Sequence, residues 1–479
     1  MRDRRPPGQA YFLGIAGAGM SALASLLKSE GWRVSGSDKD VFPPITTYLD
    51  RLGIPWRDGF DAQAVPRSLD LAIIGSSAKL DLAHNPERAE IARRGVPAMG
   101  FPHYLGQHTR ERHVVVVAGS FGKSTVTALC AHLARAGGRD PGYFIGAAPL
   151  DLPASGHSGA AEEIFLEGDE YIISPEDRRP KFALYHPRDV VLTSIVHDHV
   201  NVYPTMSAYE APFEALVAQV PADGLLVAAR GYPVIARLAE ERLARGLPVV
   251  WYGAGPGEGY GAERIAIGEI TRFDLVTPSG ARIPLATQQL GLHNIENLVG
   301  ACALLLERGW VRPEDLPAAA VGFRGLERRL DRKTLRSRAP VYEGFGSSYE
   351  KARSAIEAVR LHFPDRPLIV IFEPHTFSWR NREALAWYAR VFDGVDRVLL
   401  LPPPVHGAQS HDQLSADDIL MATRGAGVRV EAMADADAVL ADLEGRLTGD
   451  EVLLLLSSGP LAGLPARLPA YMDARFRAD

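Results

Sequence analysis

Apolar runs of strand length alternate with amphipathic stretches along almost the whole chain. Three of the clearest runs are Leu71–Ile74, His113–Ala118 and Leu368–Phe372, and each of them gives way at once to a glycine or to polar residues. Short apolar runs that are separated by helix-like stretches predict buried strands of a parallel sheet with helices between them. The chain is therefore predicted to be an α/β protein.

The same pattern divides the chain into three predicted domains. They are a Rossmann-like domain over residues 1–108, a central P-loop ATPase-type α/β domain over 109–325, and a second Rossmann-like α/β domain over 326–479. A length of 479 residues suits two or three domains. Residues 265–286 break the alternation and predict β-hairpins, with Pro278-Ser-Gly as a turn.

The strongest chemical signal follows the four valines that end at Val117. The sequence Gly119-Ser-Phe-Gly-Lys-Ser-Thr125 leads from this strand into a helix-like stretch. Such a turn offers backbone N–H groups to a phosphate, while its lysine neutralises charge and a hydroxyl reaches Mg²⁺. The turn is shorter than the usual pattern, with Val117 where the first glycine would stand, and an ordinary strand–turn–helix corner is the alternative. The residues predicted to hold the triphosphate are Gly119, Ser120, Gly122, Lys123, Ser124 and Thr125.

A second glycine-rich turn lies in the first domain. Gly17-Ala-Gly-Met-Ser-Ala22 fits the GxGxxA pattern between a strand and a helix, and Asp38 follows about 20 residues later. Glycines there let a phosphate approach the backbone, but they do not identify the nucleotide. Two such turns in successive domains predict two nucleotide-like ligands.

Acidic and imidazole groups follow two strands of the central domain. Glu167-Gly-Asp-Glu170 comes directly after an apolar strand, where carboxylates face the ligand crevice of α/β proteins. Beside a triphosphate they predict an oxygen ligand for Mg²⁺, and a solvated acidic loop is the alternative. His197-Asp-His199 follows the next strand, where an imidazole could help to hold a phosphate-bound Mg²⁺. Zinc binding, base catalysis and capping of a turn are the alternatives.

Basic groups mark two further places. Arg328-Arg329 lies at a predicted hinge, from which an arginine could reach the triphosphate, unless it is an exposed linker. His375 and Arg380 follow the strand Leu368–Phe372, where they could grip a substrate carboxylate or simply cap a loop.

The composition narrows the function classes. The net charge of −6 argues weakly against nucleic acid as the main partner. Cys130 and Cys302 lie in apolar, helix-like surroundings and predict buried thiols. The apolar N-terminal stretch is cut by glycines and does not read as a signal peptide, and no apolar run reaches membrane-spanning length. A cytoplasmic protein with no membrane partner is expected.

Taken together in this order along the chain, the motifs resemble the Mur ligase family, the ATP-dependent amino acid and peptide ligases of bacterial cell-wall synthesis. The resemblance covers nearly the whole chain, from Phe12-Leu-Gly-Ile-Ala-Gly-Ala-Gly through the phosphate loop to Phe323-Arg-Gly-Leu-Glu-Arg-Arg329. It implies ATP and Mg²⁺ as cofactors and an acyl-phosphate route to an amide. The residues that it implies for ATP binding are those of the phosphate loop together with His293, Asn294, Asn297 and Arg328. Those implied for Mg²⁺ are Ser124, Glu167 and His199, and those implied for catalysis are Lys123, Glu167, His199 and Arg328. The residues implied for binding a UDP-sugar are Gly14, Gly17, Gly19, Ser37, Asp38, Ser76 and Asn85.

Within the family, the chain is most similar to the branch that acts on UDP-N-acetylmuramate, and most of all to its murein peptide ligases. Residues 167–185 and the ending Leu456-Ser-Ser-Gly-Pro-Leu-Ala-Gly carry that likeness. The likeness implies ligation of the tripeptide L-Ala-γ-D-Glu-meso-diaminopimelate in peptidoglycan recycling. L-alanine, or another acceptor, is the alternative. A monomer or weak homodimer is expected.

The start of the third domain departs from the family pattern. Where the family has two acidic residues and later two histidines, this chain has Glu343-Gly-Phe-Gly-Ser347-Ser348. Asn201 and Ile172 also stand where aspartates are usual. The acceptor-binding residues are predicted to be His375, Arg380 and Ser347, and no base for the amine proton is assigned. Two other hypotheses are a silent UDP-sugar sensor, which the complete phosphate loop disfavours, and a dehydrogenase, which leaves that loop unexplained.

Overall fold

The computed structural model describes residues 7–41, 43–174, 176–199, 201–404 and 413–477. The chain forms two compact units. The first comprises residues up to 265 together with 272–287 and 293–323, and the second comprises 266–271, 288–292 and the chain from 324 onward. The first unit thus takes in most of both of the first two predicted domains, whose boundaries at 108 and 325 stay predictions.

A five-stranded parallel sheet opens the first unit, with the order β3-β2-β1-β4-β5. Leu13 pairs with Ser37 on one side and with Ile74 on the other, so the turn after β1 lies between the ends of two strands. The elements are β1 (Gln9–Leu13), α1 (Ala18–Ser29), β2 (Arg33–Asp38), α2 (Ile45–Arg51), β3 (Trp56–Asp58), β4 (Leu71–Ile74), α3 (Pro86–Arg93), β5 (Ala98–Gly100) and α4 (Phe101–His108).

The central sheet has seven strands in the order β12-β11-β10-β6-β9-β7-β8, of which β8 runs antiparallel to its neighbour. The valines of β6 are fully buried, as their unbroken apolar run requires in a sheet covered on both faces. The elements are β6 (His113–Ala118), α5 (Lys123–Ala136), β7 (Gly142–Phe144), β8 (Gly156–His157), β9 (Glu163–Gly168), β10 (Asp189–Leu192), α6 (Met206–Ala218), β11 (Leu226–Ala229), α7 (Pro233–Leu243) and β12 (Val249–Tyr252).

Helix α1 of the first sheet is hydrogen-bonded to the β8 region of the central sheet. The Ser25 hydroxyl accepts from the N–H of Gly156 at 2.9 Å, and the Ser29 hydroxyl accepts from the N–H of Ser158 at 2.9 Å. Gly156 lies against the backbone of Ala22 so closely that a Cβ there would clash. These direct contacts place both sheets in one compact unit.

A three-stranded sheet and two helices complete the first unit. They are β13 (Gly261–Ala266), β14 (Thr271–Val276), β15 (Arg282–Thr287), α8 (Leu292–Glu307) and α9 (Leu316–Gly322). The turn between β13 and β14 and the segment before α8 belong to the second unit.

The second unit is built on a six-stranded sheet with the order β16-β17-β21-β18-β19-β20. It is parallel except for β16, which runs antiparallel to β17. The elements are β16 (Arg329–Arg332), β17 (Val341–Phe345), α10 (Tyr349–His362), β18 (Leu368–Phe372), α11 (Phe377–Arg380), α12 (Leu385–Tyr388), β19 (Arg397–Leu400), α13 (Ala416–Gly425), β20 (Val430–Ala432), α14 (Ala436–Glu444), β21 (Val452–Ser457) and α15 (Leu464–Arg475).

The predicted α/β class is confirmed, and the apolar runs became strands within one or two residues of their predicted ends. No apolar run predicts the antiparallel strand β16, whose residues are mostly polar. Within the described residues, no helix is both long and apolar enough to cross a membrane.

Candidate functional site

The phosphate loop joins the carboxyl end of β6 to the start of α5, as the sequence predicts. Gly119 and Gly122 have φ values of +147° and +84°, which only glycine adopts without strain. A Cβ at Gly122 would run into the side chain of Asn297, and one at Gly119 would run into Thr193 and Ser194. This tight turn, with a glycine at each end and a helix after it, fits a polyphosphate.

Lys123 occupies the mouth of this turn. Its Nζ donates to the carbonyl of Gly119 at 2.6 Å and lies 2.9 Å from a carboxylate oxygen of Glu170. Glu170 is 1% exposed, so its charge acts on Lys123 with little screening by water. The ammonium is therefore held at the turn, where an incoming phosphate would meet it.

Glu170 joins two of the predicted catalytic residues. Its Oε1 lies 3.3 Å from Nε2 of His199 and accepts a hydrogen bond from the Tyr209 hydroxyl at 3.3 Å. The hydrogen bond to Glu170 raises the pKa of His199. Burial, with the nearby Glu170 charge, also raises the pKa of Tyr209, which therefore stays a hydrogen-bond donor.

Sequence reasoning assigned the metal to Glu167 and gave Glu170 no separate role. Glu167 lies beside Val117 in the sheet register, one strand from the loop, and it accepts the N–H of Gly146 at 2.6 Å. Spacing could not tell which of the two carboxylates turns towards Lys123. Two tyrosines after the histidine pair were the available signal: Tyr209 of α6 donates to the Glu170 carboxylate, and Tyr203, just before α6, donates to the Glu170 backbone carbonyl.

The predicted metal ligands stay predictions. Ser124 is buried in the first turn of α5, Glu167 is at the end of β9, and His199 contacts Glu170. No group of three or more His, Cys, Asp or Glu side chains in the described part of the chain is arranged to hold a metal ion. A hydroxyl and a carboxylate beside a phosphate cradle nevertheless suit Mg²⁺, which keeps phosphate oxygens and water among its ligands.

Helix α8 supplies the predicted asparagines. Asn297 donates through Nδ2 to Oδ1 of Asn294 at 3.0 Å, and both residues are buried. The carbonyl oxygen of Asn297 points at Gly122, which ties α8 to the phosphate loop. His293, one position earlier, is exposed, and Thr125 is buried at the start of α5.

The glycine turn of the first sheet is hydrogen-bonded to the end of β2. Asp38 accepts the N–H of Ala16 at 3.0 Å, and the carbonyl of Ser37 accepts from Gly14 at 2.8 Å. Gly14 has a φ of +81° and Gly17 precedes the first turn of α1, while Gly19 lies against the ring of Phe101. The turn is thus a pre-formed backbone cradle at the carboxyl edge of the sheet.

Two residues predicted to line the UDP-sugar site make structural contacts, and their part in ligand binding stays a prediction. The Ser37 side chain is fully buried and donates to the buried carboxylate of Glu87. Asn85 caps α3 by accepting the N–H groups of Glu87 and Arg88. Serine and asparagine are common in such roles, so the sequence pattern did not separate capping from ligand binding. Ser76, by contrast, is exposed just after β4.

The predicted acceptor residues lie at the carboxyl ends of β17 and β18. The Ser347 carbonyl accepts from the hydroxyls of Thr376 and Ser378 at 2.9 and 3.1 Å, so the two loops are tied together. His375 is half-buried beside Gly459. Arg380 is only 5% exposed and donates to the carbonyls of Pro404 and Thr376, so in this structure its guanidinium supports the loops.

Arg328 belongs to the second unit. Its Nε lies 3.2 Å from Glu343, and its Nη2 donates to the carbonyls of Ser457 and Gly459. Glu343, the acidic residue left in the altered opening of the third domain, is 4% exposed and so faces Arg328 rather than solvent.

Comparison with known proteins agrees with this arrangement. Residues 9–113 match the model described as Mur ligase family, catalytic domain, and residues 117–305 match the Mur ligase middle domain. The chain is 32% identical over 447 residues to a UDP-N-acetylmuramate–L-alanine ligase of Arthrobacter sp. (strain FB24), covering 91% of this chain and 92% of that protein.

Two solved structures extend the likeness. The UDP-N-acetylmuramate-alanine ligase of Thermotoga maritima superposes with a TM-score of 0.77 at 20% identity, covering 98% of this chain and all of that one. The UDP-N-acetylmuramate:L-alanyl-gamma-D-glutamyl-meso-diaminopimelate ligase of Neisseria meningitides gives a TM-score of 0.58 at 27% identity, covering 67% of this chain and 100% of that one. The glycine-rich cradle, the position of Lys123 and these matches agree: the chain belongs to the Mur ligase family of ATP-dependent amide ligases.

Proposed function

We propose that the protein joins an amine to the lactyl carboxylate of UDP-N-acetylmuramate, using ATP, with L-alanine as the acceptor. The observation that carries the proposal is the match over nine-tenths of the chain to a UDP-N-acetylmuramate–L-alanine ligase. The pre-formed phosphate loop and the glycine turn of β1 support two anionic, nucleotide-like substrates.

The chemistry requires that the carboxylate be activated, because oxide is a very poor leaving group. Transfer of the γ-phosphoryl group of ATP gives an acyl phosphate, which the amine attacks with release of phosphate. Lys123 and the loop N–H groups would hold the phosphates, and Arg328 would meet the charge that develops on the transferred group. Ser124, Glu167 and His199 would hold Mg²⁺, which neutralises phosphate charge when bound.

Glu170 would orient Lys123 and His199 together. Because it is buried and contacts both, it fixes an ammonium and an imidazole at one side of the loop. Positioning and charge stabilisation of this kind supply most of the rate enhancement in phosphoryl transfer. No described side chain is assigned as the base for the amine proton.

The tripeptide L-Ala-γ-D-Glu-meso-diaminopimelate is the second candidate acceptor. It is supported by the 27% identity to the ligase of Neisseria meningitides and by the resemblance of residues 167–185 to murein peptide ligases. The L-alanine ligase match covers more of the chain, and for that reason L-alanine is placed first.

The test is phosphate release from ATP and Mg²⁺ in the presence of UDP-N-acetylmuramate with L-alanine, with the tripeptide, or with no acceptor, and product masses confirm each ligation. Turnover with L-alanine supports the proposal, and turnover with the tripeptide alone supports the second candidate. If neither is used while hydroxylamine traps an acyl phosphate, the donor assignment survives and both acceptors are wrong. The inactive control is Lys123→Met.

A further inference from the structure

Arg328 stands in an unusual backbone conformation. It has a φ of +62°, and Leu330, two residues on, has a φ of +58°. The pairing of β16 with β17 shifts register between Arg329 and Asp331, as in a β-bulge. Two non-glycine residues in the left-handed region are costly, so their surroundings must hold them there.

Asp331 is one of the residues that hold this backbone conformation. Its Oδ1 accepts the backbone N–H of Arg328 at 2.7 Å, and the residue is 2% exposed. Bulges of this kind aim a side chain in a direction that a regular strand would not allow. The bulge therefore sets the direction in which Arg328 leaves the backbone.

The guanidinium of Arg328 is held along one edge. Nη2 donates to the carbonyls of Ser457 and Gly459 at 2.8 and 3.0 Å, and Nε lies 3.2 Å from Oε1 of Glu343. The group also lies 5.0 Å from the centre of the partly exposed Phe345 ring. Among the described residues, no hydrogen bond or ion pair involves Nη1, so its N–H groups can donate to another group.

Lys333 connects both carboxylates that fix Arg328. Its Nζ lies 2.9 Å from Oδ2 of Asp331 and 2.8 Å from Oε2 of Glu343. Each acid thus gives one oxygen to Lys333 and the other to Arg328. The two carboxylates raise the pKa of Lys333, which keeps it charged.

An ordinary structural ion pair does not need this arrangement. Buried ion pairs are weak evidence for stability, since desolvation offsets much of their attraction. Here two buried acids are shared between a lysine and an arginine whose other edge is free of described partners. Without Lys333, the released Oε2 of Glu343 would compete for the guanidinium of Arg328 and draw in its Nη1 edge.

We propose that Lys333 is a positioning residue: acting through Glu343 and Asp331, it holds the Nη1 edge of Arg328 ready for the phosphoryl group being transferred. This rests on the proposed function, in which Arg328 stabilises that group. Glu343 is then a support for Arg328, and the altered opening of the third domain keeps its single acid for that purpose.

The experiment measures acyl-phosphate formation from ATP, Mg²⁺ and UDP-N-acetylmuramate, trapped with hydroxylamine and without acceptor. We expect Lys333→Met to lower kcat by at least about tenfold, because a misaimed arginine loses its advantage in the transition state. KM for UDP-N-acetylmuramate should not change. The matched control is Arg336→Met, which removes one positive charge from an exposed residue three positions along and should stay within about twofold.

A second comparison separates positioning from folding. In an Arg328→Met background, Lys333→Met should cost less than about twofold more in kcat, since interacting residues are non-additive. Full additivity would contradict the proposal. The double variant Lys333→Met, Asp331→Asn loses one positive and one negative charge, so the buried charge is balanced again. Its kcat should stay low if Lys333 positions Arg328. Recovery to the wild-type kcat would show that Lys333 only neutralises charge.

The outcomes also separate this inference from the proposed function. If Arg328→Met abolishes trapping while Lys333→Met does not affect it, the positioning role is wrong and the function survives. If the unaltered protein forms no trapped acyl phosphate, the proposed function fails and the role of Lys333 fails with it. Thermal unfolding of each variant shows whether it is folded at the assay temperature.

Discussion

The charged clusters around Lys123 and around Arg328 use the same chemical groups in different proportions. In the first unit Lys123 and the imidazole of His199 share one buried carboxylate, Glu170. In the second unit Arg328 and Lys333 share two buried carboxylates, Asp331 and Glu343.

The two clusters differ in the number of acidic groups for each basic group, and this difference implies different functions. Lys123 lies beside a phosphate cradle, and phosphate oxygens can replace the loop carbonyl that its ammonium now contacts. The second cluster holds two acids for two basic side chains, so its buried contacts keep their geometry without a ligand. The first cluster is suited to bind, and the second to aim a side chain.

Removing the lysine of the binding cluster should have the largest effect. We expect Lys123→Met to lower kcat for acyl-phosphate formation by about 10²–10³-fold, the usual loss for a group that stabilises developing charge. Arg135→Met, at the other end of α5 and paired with the partly exposed Asp140, is the control. A loss below fivefold would show that Lys123 does not meet the phosphates. Trapped product measured by mass spectrometry gives the rate.

Removing the shared carboxylate should have the next largest effect. Glu170→Gln keeps the shape but leaves Lys123 and His199 without a common anion, so we expect kcat to fall by about tenfold through loss of orientation. Glu176→Gln, an exposed glutamate a few residues later, should leave the rate unchanged. Equal rates for the two variants would mean that the first cluster needs no buried acid.

The second unit also holds a buried neutral imidazole, which sharpens the contrast with its charged cluster. His362 is 6% exposed; its Nδ1 donates to the carbonyl of Gly268 at 2.7 Å, and its Nε2 accepts the N–H of Gly291 at 2.8 Å. Burial lowers the pKa of His362. The hydrogen bond from Gly291 agrees with this direction, because a protonated ring has no nitrogen lone pair to accept it.

The sign of the pH effect follows from this lowered pKa. Below about pH 6.5 the unfolded chain binds a proton at this histidine more readily than the folded chain does, so stability falls as pH decreases, with a limiting slope of about 1.4 kcal/mol per pH unit. His362→Gln should remove that share of the slope between pH 7 and 5. Denaturant unfolding at several pH values measures it, and an unchanged slope would contradict the assignment.

The smallest effect is expected at a more exposed cluster of the second unit. Arg397 holds the pKa of Glu431 at about 2, well below its ordinary range. The stabilisation is present above the ordinary glutamate pKa and is lost as pH falls towards 2. Because the Glu431 side chain is 27% exposed and Arg397 has a second partner in Asp442, Glu431→Gln should cost no more than about 1 kcal/mol at pH 7. Thermal unfolding at pH 7 and pH 3 would show the difference.

Much of the ligand cradle could be predicted from the sequence. A glycine-rich turn between a buried strand and a helix has few possible conformations, so Gly119, Gly122 and Lys123 lie where the pattern placed them. The roles of Ser37 and Asn85 could not be predicted in this way. Serine and asparagine serve caps, turns and ligands alike, and only their neighbours distinguish these uses.

The sequence by itself determined the α/β class, most strand positions, the phosphate loop and the family. These depend on local spacing and on the periodicity of apolar residues, which are properties of the chain. Only the tertiary structure decided that Glu170 faces Lys123 and that Glu343 contacts both Arg328 and Lys333. These partners are 10 to 47 residues apart along the chain, and folding alone sets the distance and burial on which the strength of a charge depends.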